Sequence, residues 1–104
     1  MIVVTSSAIA GKNIVKTLGL VRGNTIRARH VGKDILAGFK NILGGEIEEY
    51  TKLMGESREQ AIDRMIQNAE EQGANAIVSA RLTTSMLMGG AAEIVAYGTA
   101  VVVE

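Results

Sequence analysis

Cysteine is absent from this 104-residue chain, which excludes disulfides and cysteine-ligated zinc or iron–sulfur centres. Aromatic residues make up only 3% of it, namely Phe39, Tyr50 and Tyr97. A core must therefore be assembled from Val, Ile, Leu, Ala and Met, small side chains that let backbones approach closely, and twelve glycines point the same way. Neither sign of charge is in excess, with 11 basic and 11 acidic residues. The basic footprint of a nucleic-acid binder is missing, and so is the charge imbalance of a disordered tail. No apolar run reaches the ~18 residues of a membrane span. Met1-Ile2-Val3-Val4-Thr5 lacks the basic and apolar regions of a secretory signal. The expectation is one soluble domain, residues 1–104, in the cytoplasm, with no nucleic-acid or membrane partner.

What is present is hydrophobic periodicity. Ile2-Val3-Val4-Thr5 is β-branched and predicts a short strand, with Ser6 to Asn13 as a connection. From Ile14 the pattern alternates to His30, interrupted at Gly19 and Gly23 as by bulges or bends. Ile26, Ala28 and His30 share one face of this bent strand; Thr25, Arg27 and Arg29 share the other. The period then becomes helical: Ile35, Leu36, Phe39, Ile42 and Leu43 predict a helix from Asp34 that ends at Gly44-Gly45. A longer helix is expected from about Glu46 to Gln72, on an apolar line of Ile47, Tyr50, Met54, Ala61, Met65 and Ala69, with Gly55 as a weak point at which it could break into two helices. Glu46, Glu48 and Glu49 suit the dipole of its first turn, and Gly73 is its stop. Alternation returns at Ala76–Leu82, with Ala76, Val78, Ala80 and Leu82 on one side, and a loop is expected over Met86–Ala92. A last strand runs from about Glu93 to Val103. The order ββααββ predicts a two-layer α+β fold, an antiparallel sheet with helices on one face.

The last strand is apolar on both sides: Ile94, Ala96, Gly98, Ala100 and Val102 on one, Val95, Tyr97, Thr99, Val101 and Val103 on the other. A sheet with helices on one face should turn a polar side to water. Leaving Val95, Val101 and Val103 wet would forgo roughly 1.5–3 kcal/mol apiece. Two readings follow: a second subunit covers the far face or the strand edge, or the ten-residue helix at 34–43 does. Ten residues cover it poorly, which favours a homo-oligomer.

The pattern resembles the YbjQ family of small prokaryotic proteins. The resemblance rests on Gly44-Gly45-Glu46 with Tyr50-Thr51, then Arg58, Ala61, Arg64-Met65 and Ala69. It continues through Gly73-Ala74-Asn75-Ala76-Ile77, Glu93 and Ala96-Tyr97-Gly98-Thr99-Ala100-Val101; Ile2–Thr5 and Gly11-Lys12 also fit. It implies a two-layer domain that assembles into a ring, a pentamer, and the heavy-metal-binding label that the family carries. Arg27-Ala28-Arg29-His30 departs from the more neutral pattern of that region.

Chemistry is sparse. Soft metals take thiolate, thioether or imidazole ligands, and the chain offers one His and five Met. Met86 and Met88 could share a strand face as two thioethers, although adaptable packing at a loop or subunit interface is the more ordinary use of methionine. In a ring, copies of His30 or Met88 could converge on the axis, so His30, Met86 and Met88 are the candidate ligands for a transition-metal ion. Arg27, Arg29 and Lys33, with Arg22 upstream, suit an anion, which makes Arg27, Arg29 and His30 candidates for a small anionic ligand held between subunits. The alternative for the arginines is a solvated strand face, and for His30 a half-buried structural position. No catalytic residue is assigned: His30 has no nucleophile and orienting acid placed beside it by sequence. The expected function is a ring-forming homo-oligomeric binding protein, with an enzyme or anion binder acting between subunits as the alternative.

Overall fold

A computed structural model of the chain describes residues 1–28, 45–87 and 90–104. They form strands β1 (Ile2–Val3) and β2 (Ile14–Ala28), helix α1 (Gly45–Glu71), and strands β3 (Ala76–Met86) and β4 (Ala91–Val103). The expected helix over 34–43 lies outside the described residues. Gly45, expected to end that helix, is the first residue of α1. The fold class is α+β, but the sheet is mixed rather than antiparallel. Its order is β1-β3-β4-β2, with β1 parallel to β3 and the other two pairs antiparallel. The parallel pair arises because β1 and β3 lie on opposite sides of the α1 crossover, and no hairpin links them.

The apolar last strand is explained first by its place. β4 lies between β3 and β2, so both of its edges are paired. Ile94, Ala96, Gly98 and Ala100 face α1 and are buried. Against them α1 sets Ala61, Met65 and Ala69, spaced four residues apart as one helical face requires. These small side chains bring helix and sheet close together, and closest at Gly23 of β2. A Cβ on Gly23 would overlap the carbonyl oxygen of Ala61 and the amide nitrogen of Met65. The α1 C-terminus closes at Gly73, whose φ of 87° suits glycine.

On the far face, Val101 and Val103 are not wet. With Ala76 and Val78 they form a second buried cluster, against which Val4 and Ile9 pack. Among the described residues, the element that covers them is the segment after β1. It is tied down by Val4 N–H to Ile77 O (2.9 Å), Ser79 N–H to Ser6 O (2.8 Å) and Ala80 N–H to Val4 O (3.0 Å). Asn75 fixes the neighbouring end of β4: its side-chain amide donates to Val103 O (2.9 Å) and accepts from Val103 N–H (2.8 Å).

Alternation in β3 is broken once. The register with β4 shifts between Val78 and Arg81, where Ser79 has φ of 54°. The extra residue reverses the faces. Ala76 and Val78 point away from α1, whereas Leu82, Thr84 and Met86 pair with Ala96, Ile94 and Ala92 on the α1 side. The expected single face of Ala76, Val78, Ala80 and Leu82 is therefore split. Because α1 lies over β2 and β4 and only grazes β3, Leu82 and Met86 stay exposed. The radius of gyration is 17.3 Å, where a compact chain of this length would give about 13 Å.

Candidate functional site

The polar seam between β2 and α1 contains Arg27, the candidate ligand-binding arginine that the structure describes; Arg22, upstream in the same strand, lies on the opposite face of the sheet. Val21, Gly23, Thr25 and Arg27 point toward α1, and the apolar Ile26 points away. Two residues of this seam, Thr25 and Ser57, are fully buried although polar. The Thr25 hydroxyl donates to Ser57 O (3.2 Å), and the Ser57 hydroxyl donates to Leu53 O (2.8 Å). Arg27 Nε donates to Ser57 Oγ (3.0 Å), and its Nη2 donates to Gln60 Oε1. Arg27 is thus a strut between strand and helix. The shallow depression beside it is lined by Lys52, Glu56, Glu59, Gln60 and Asp63. Three carboxylates there face two cations, a poor setting for an anion. Arg29 and His30 lie outside the described residues.

Met86, the other described candidate, is 66% exposed near the end of β3; Met88 lies outside the described residues. Among the described residues no three His, Cys, Asp or Glu side chains group as metal ligands do. Nor is any buried side-chain nitrogen or oxygen there left without a hydrogen-bond partner. An orphaned donor or acceptor is what a missing ligand would leave behind. The described residues of this chain therefore bring together no imidazole and carboxylate ligand set for a heavy metal. None of its helices is long and apolar enough to cross a membrane.

The sheet face opposite α1 is the remaining candidate. Register places Leu20, Arg22, Asn24 and Ile26 of β2 beside Thr99, Tyr97, Val95 and Glu93 of β4. Arg81 and Thr83 of β3 adjoin Tyr97 and Val95 from the other side. Leu20 is 66% and Ile26 59% exposed, and Tyr97 lies between two arginines. Asn24 Nδ2 donates to Glu93 Oε2 (3.4 Å). The result is a flat, mixed surface with two large aliphatic side chains standing in solvent at its β2 margin. The alternation in β2 separated these faces; what it did not carry is that Ile26 lies outside and Thr25 inside.

Comparison with known proteins agrees with this architecture. A family model described as "Putative heavy-metal-binding", YbjQ_1, matches residues 1–104. A UPF0145 protein of Dehalococcoides mccartyi is 58% identical over 104 residues, covering 100% of both chains. One from Methanosarcina acetivorans is 57% identical over 101 residues, covering 97% of this chain and 95% of its own. Similar in fold is the crystal structure of a protein of unknown function from Pediococcus pentosaceus, of the DUF74 family. It has a TM-score of 0.67 at 15% identity and covers 100% of this chain and 98% of that one. With a full-length family match and relatives of this identity, the chain belongs to the YbjQ family of UPF0145 proteins.

Proposed function

We propose that this protein is a non-enzymatic, self-assembling cytoplasmic subunit that closes into a homo-oligomeric ring through the sheet face opposite α1. The observation that carries the reading is the exposure of Leu20 and Ile26 on that face, beside Val95 and Tyr97. Covering each aliphatic side chain would contribute roughly 1.5–3 kcal/mol. The extended shape also supports it, because a radius of gyration of 17.3 Å leaves more surface than a compact monomer keeps. The pentameric size comes from the family resemblance, and five copies of the 11.0 kDa chain give about 55 kDa. A cysteine-free chain is compatible with the reducing cytoplasm.

A heavy metal is the ligand that the family label names. Since the described residues of this chain bring together no imidazole and carboxylate ligand set for it, a bound metal in this reading draws ligands from several subunits. The anion-binding alternative loses support at Arg27, whose guanidinium is engaged by Ser57 and Gln60. The decisive test is sedimentation velocity of the wild type beside Leu20→Asp and Ile26→Lys. The wild type should sediment as one species near the pentamer mass, and each variant should fall to smaller species with unchanged circular dichroism. A wild type that stays monomeric at micromolar concentration removes the reading. Thermal shift and elemental analysis with Cu, Zn, Ni and Co test the ligand: no bound metal and no shift would remove the metal.

A further inference from the structure

Among the described residues β2 is an outer strand of the sheet, and an outer strand offers unpaired N–H and C=O groups to any strand that arrives. In its middle two of those groups have partners from α1. The Arg22 N–H donates to Asn68 Oδ1 (3.3 Å), and Arg64 Nη1 donates to Asn24 O (2.6 Å). Both partners come from α1, one turn apart, and their spacing matches the strand. Four helical residues rise about 6.0 Å, and two strand residues advance about 6.6 Å. Because α1 runs antiparallel to β2, Arg64 meets position 24 and Asn68 meets position 22. These residues lie in the row adjoining the Ala61, Met65 and Ala69 line that grips the sheet. The same closeness at Gly23 that seats the helix therefore brings its flank level with the strand edge.

We infer that Arg64 and Asn68 are edge guards, which close the centre of β2 to strand addition by another copy of this chain. This goes beyond the ring proposal. It does not need the ring to exist, and it requires only that any assembly contact avoid the β2 edge at residues 22–24. The guards supply one acceptor and one cationic donor, so an incoming backbone would have to displace both.

The test is an Arg64→Ala/Asn68→Ala variant of the full chain, beside Asn68→Asp, which keeps an acceptor for the Arg22 amide. Hydrogen exchange of that amide should be about 3- to 10-fold faster in the double variant, the factor expected for one net hydrogen bond. It should be unchanged in Asn68→Asp. On prolonged incubation the double variant should form larger, thioflavin-positive species that the wild type does not, while circular dichroism stays the same. Unchanged Arg22 exchange in the double variant overturns the inference. So does a double variant that keeps the wild-type size distribution with no thioflavin signal. A double variant too unstable to examine leaves the wild type as the readout: an Arg22 amide exchanging at the rate of an unprotected peptide there also overturns it. Wild-type association state is read separately, so failure of the ring proposal and failure of the guard are distinguishable.

Discussion

Gly23 sets how near α1 comes to the sheet. Its missing side chain leaves room for the helix backbone at Ala61 and Met65, which cannot yield as a flexible side chain could. Gly23→Ala should therefore lift the helix and cost about 3 kcal/mol or more, at or beyond the upper end of overpacking penalties. Urea denaturation measures it, and a loss under 1 kcal/mol would contradict this packing. Ser57 is the second informative residue, a buried hydroxyl on the face where the 3.6-residue period calls for an apolar side chain. It accepts from Arg27 and donates to Leu53 O. Ser57→Ala should cost ~1 kcal/mol for the lost hydrogen bonds, and Arg27→Ala in the Ser57→Ala background should cost less than it does alone. A double-mutant cycle by denaturant titration checks that coupling.

At the scale of elements, the periodic segments were legible in the sequence. The long second strand, the helix from about residue 46 to 72 and the last strand were each placed to within a few residues. Alternation cannot say which of two faces is inside. In β2 the inward set is Thr25 and Arg27 with Ile26 outside, because the helix presents Ser57 and Gln60 there rather than aliphatics. Nor does a regular alternation announce a bulge. One extra residue at Ser79 moved Leu82 to the opposite face from Val78. The parallel β1–β3 pair and the cover of Val4 and Ile9 over Val101 and Val103 depend on long-range contacts that no local period encodes. Of the candidate site residues, the structure describes Arg27 and Met86, the first as a strut and the second as an exposed side chain. Asn75 was visible only within the family pattern. Its role is to extend the β4 ladder by two side-chain hydrogen bonds to Val103. Asn75→Ala should cost about 1–3 kcal/mol and speed exchange of the Val103 amide, whereas loss of either bond alone should cost less.

For the whole molecule, the surplus of apolar surface survives in reduced form. The sequence made all of the far β4 face look uncovered, yet half of it is closed by the chain's own N-terminal segment. What remains is a mixed surface in which Leu20 and Ile26 stand at the β2 margin with Arg22 and Asn24 between them, and Val95 and Tyr97 lie inward beside Arg81, Thr83 and Glu93. In the proposed assembly, Leu20 and Ile26 are the side chains that such a face would bury, with the polar residues between them left to pair across it. On the α1 side, Leu82 and Met86 form a separate exposed strip on β3. A heterologous ring contact joins two different surfaces of neighbouring copies, and these two strips lie on opposite faces of one sheet. Substituting Met86→Lys should therefore weaken assembly as Ile26→Lys does, with size-exclusion chromatography coupled to light scattering as the measurement. Assembly untouched by Met86→Lys would confine the contact to the far face.

Native mass spectrometry of the purified chain at micromolar concentration tests the central claim most directly. Self-assembly through the sheet predicts one dominant complex with a mass five times 11.0 kDa, about 55 kDa, together with any metal it retains. A spectrum dominated by the 11.0 kDa single chain, from protein that remains soluble, would contradict it.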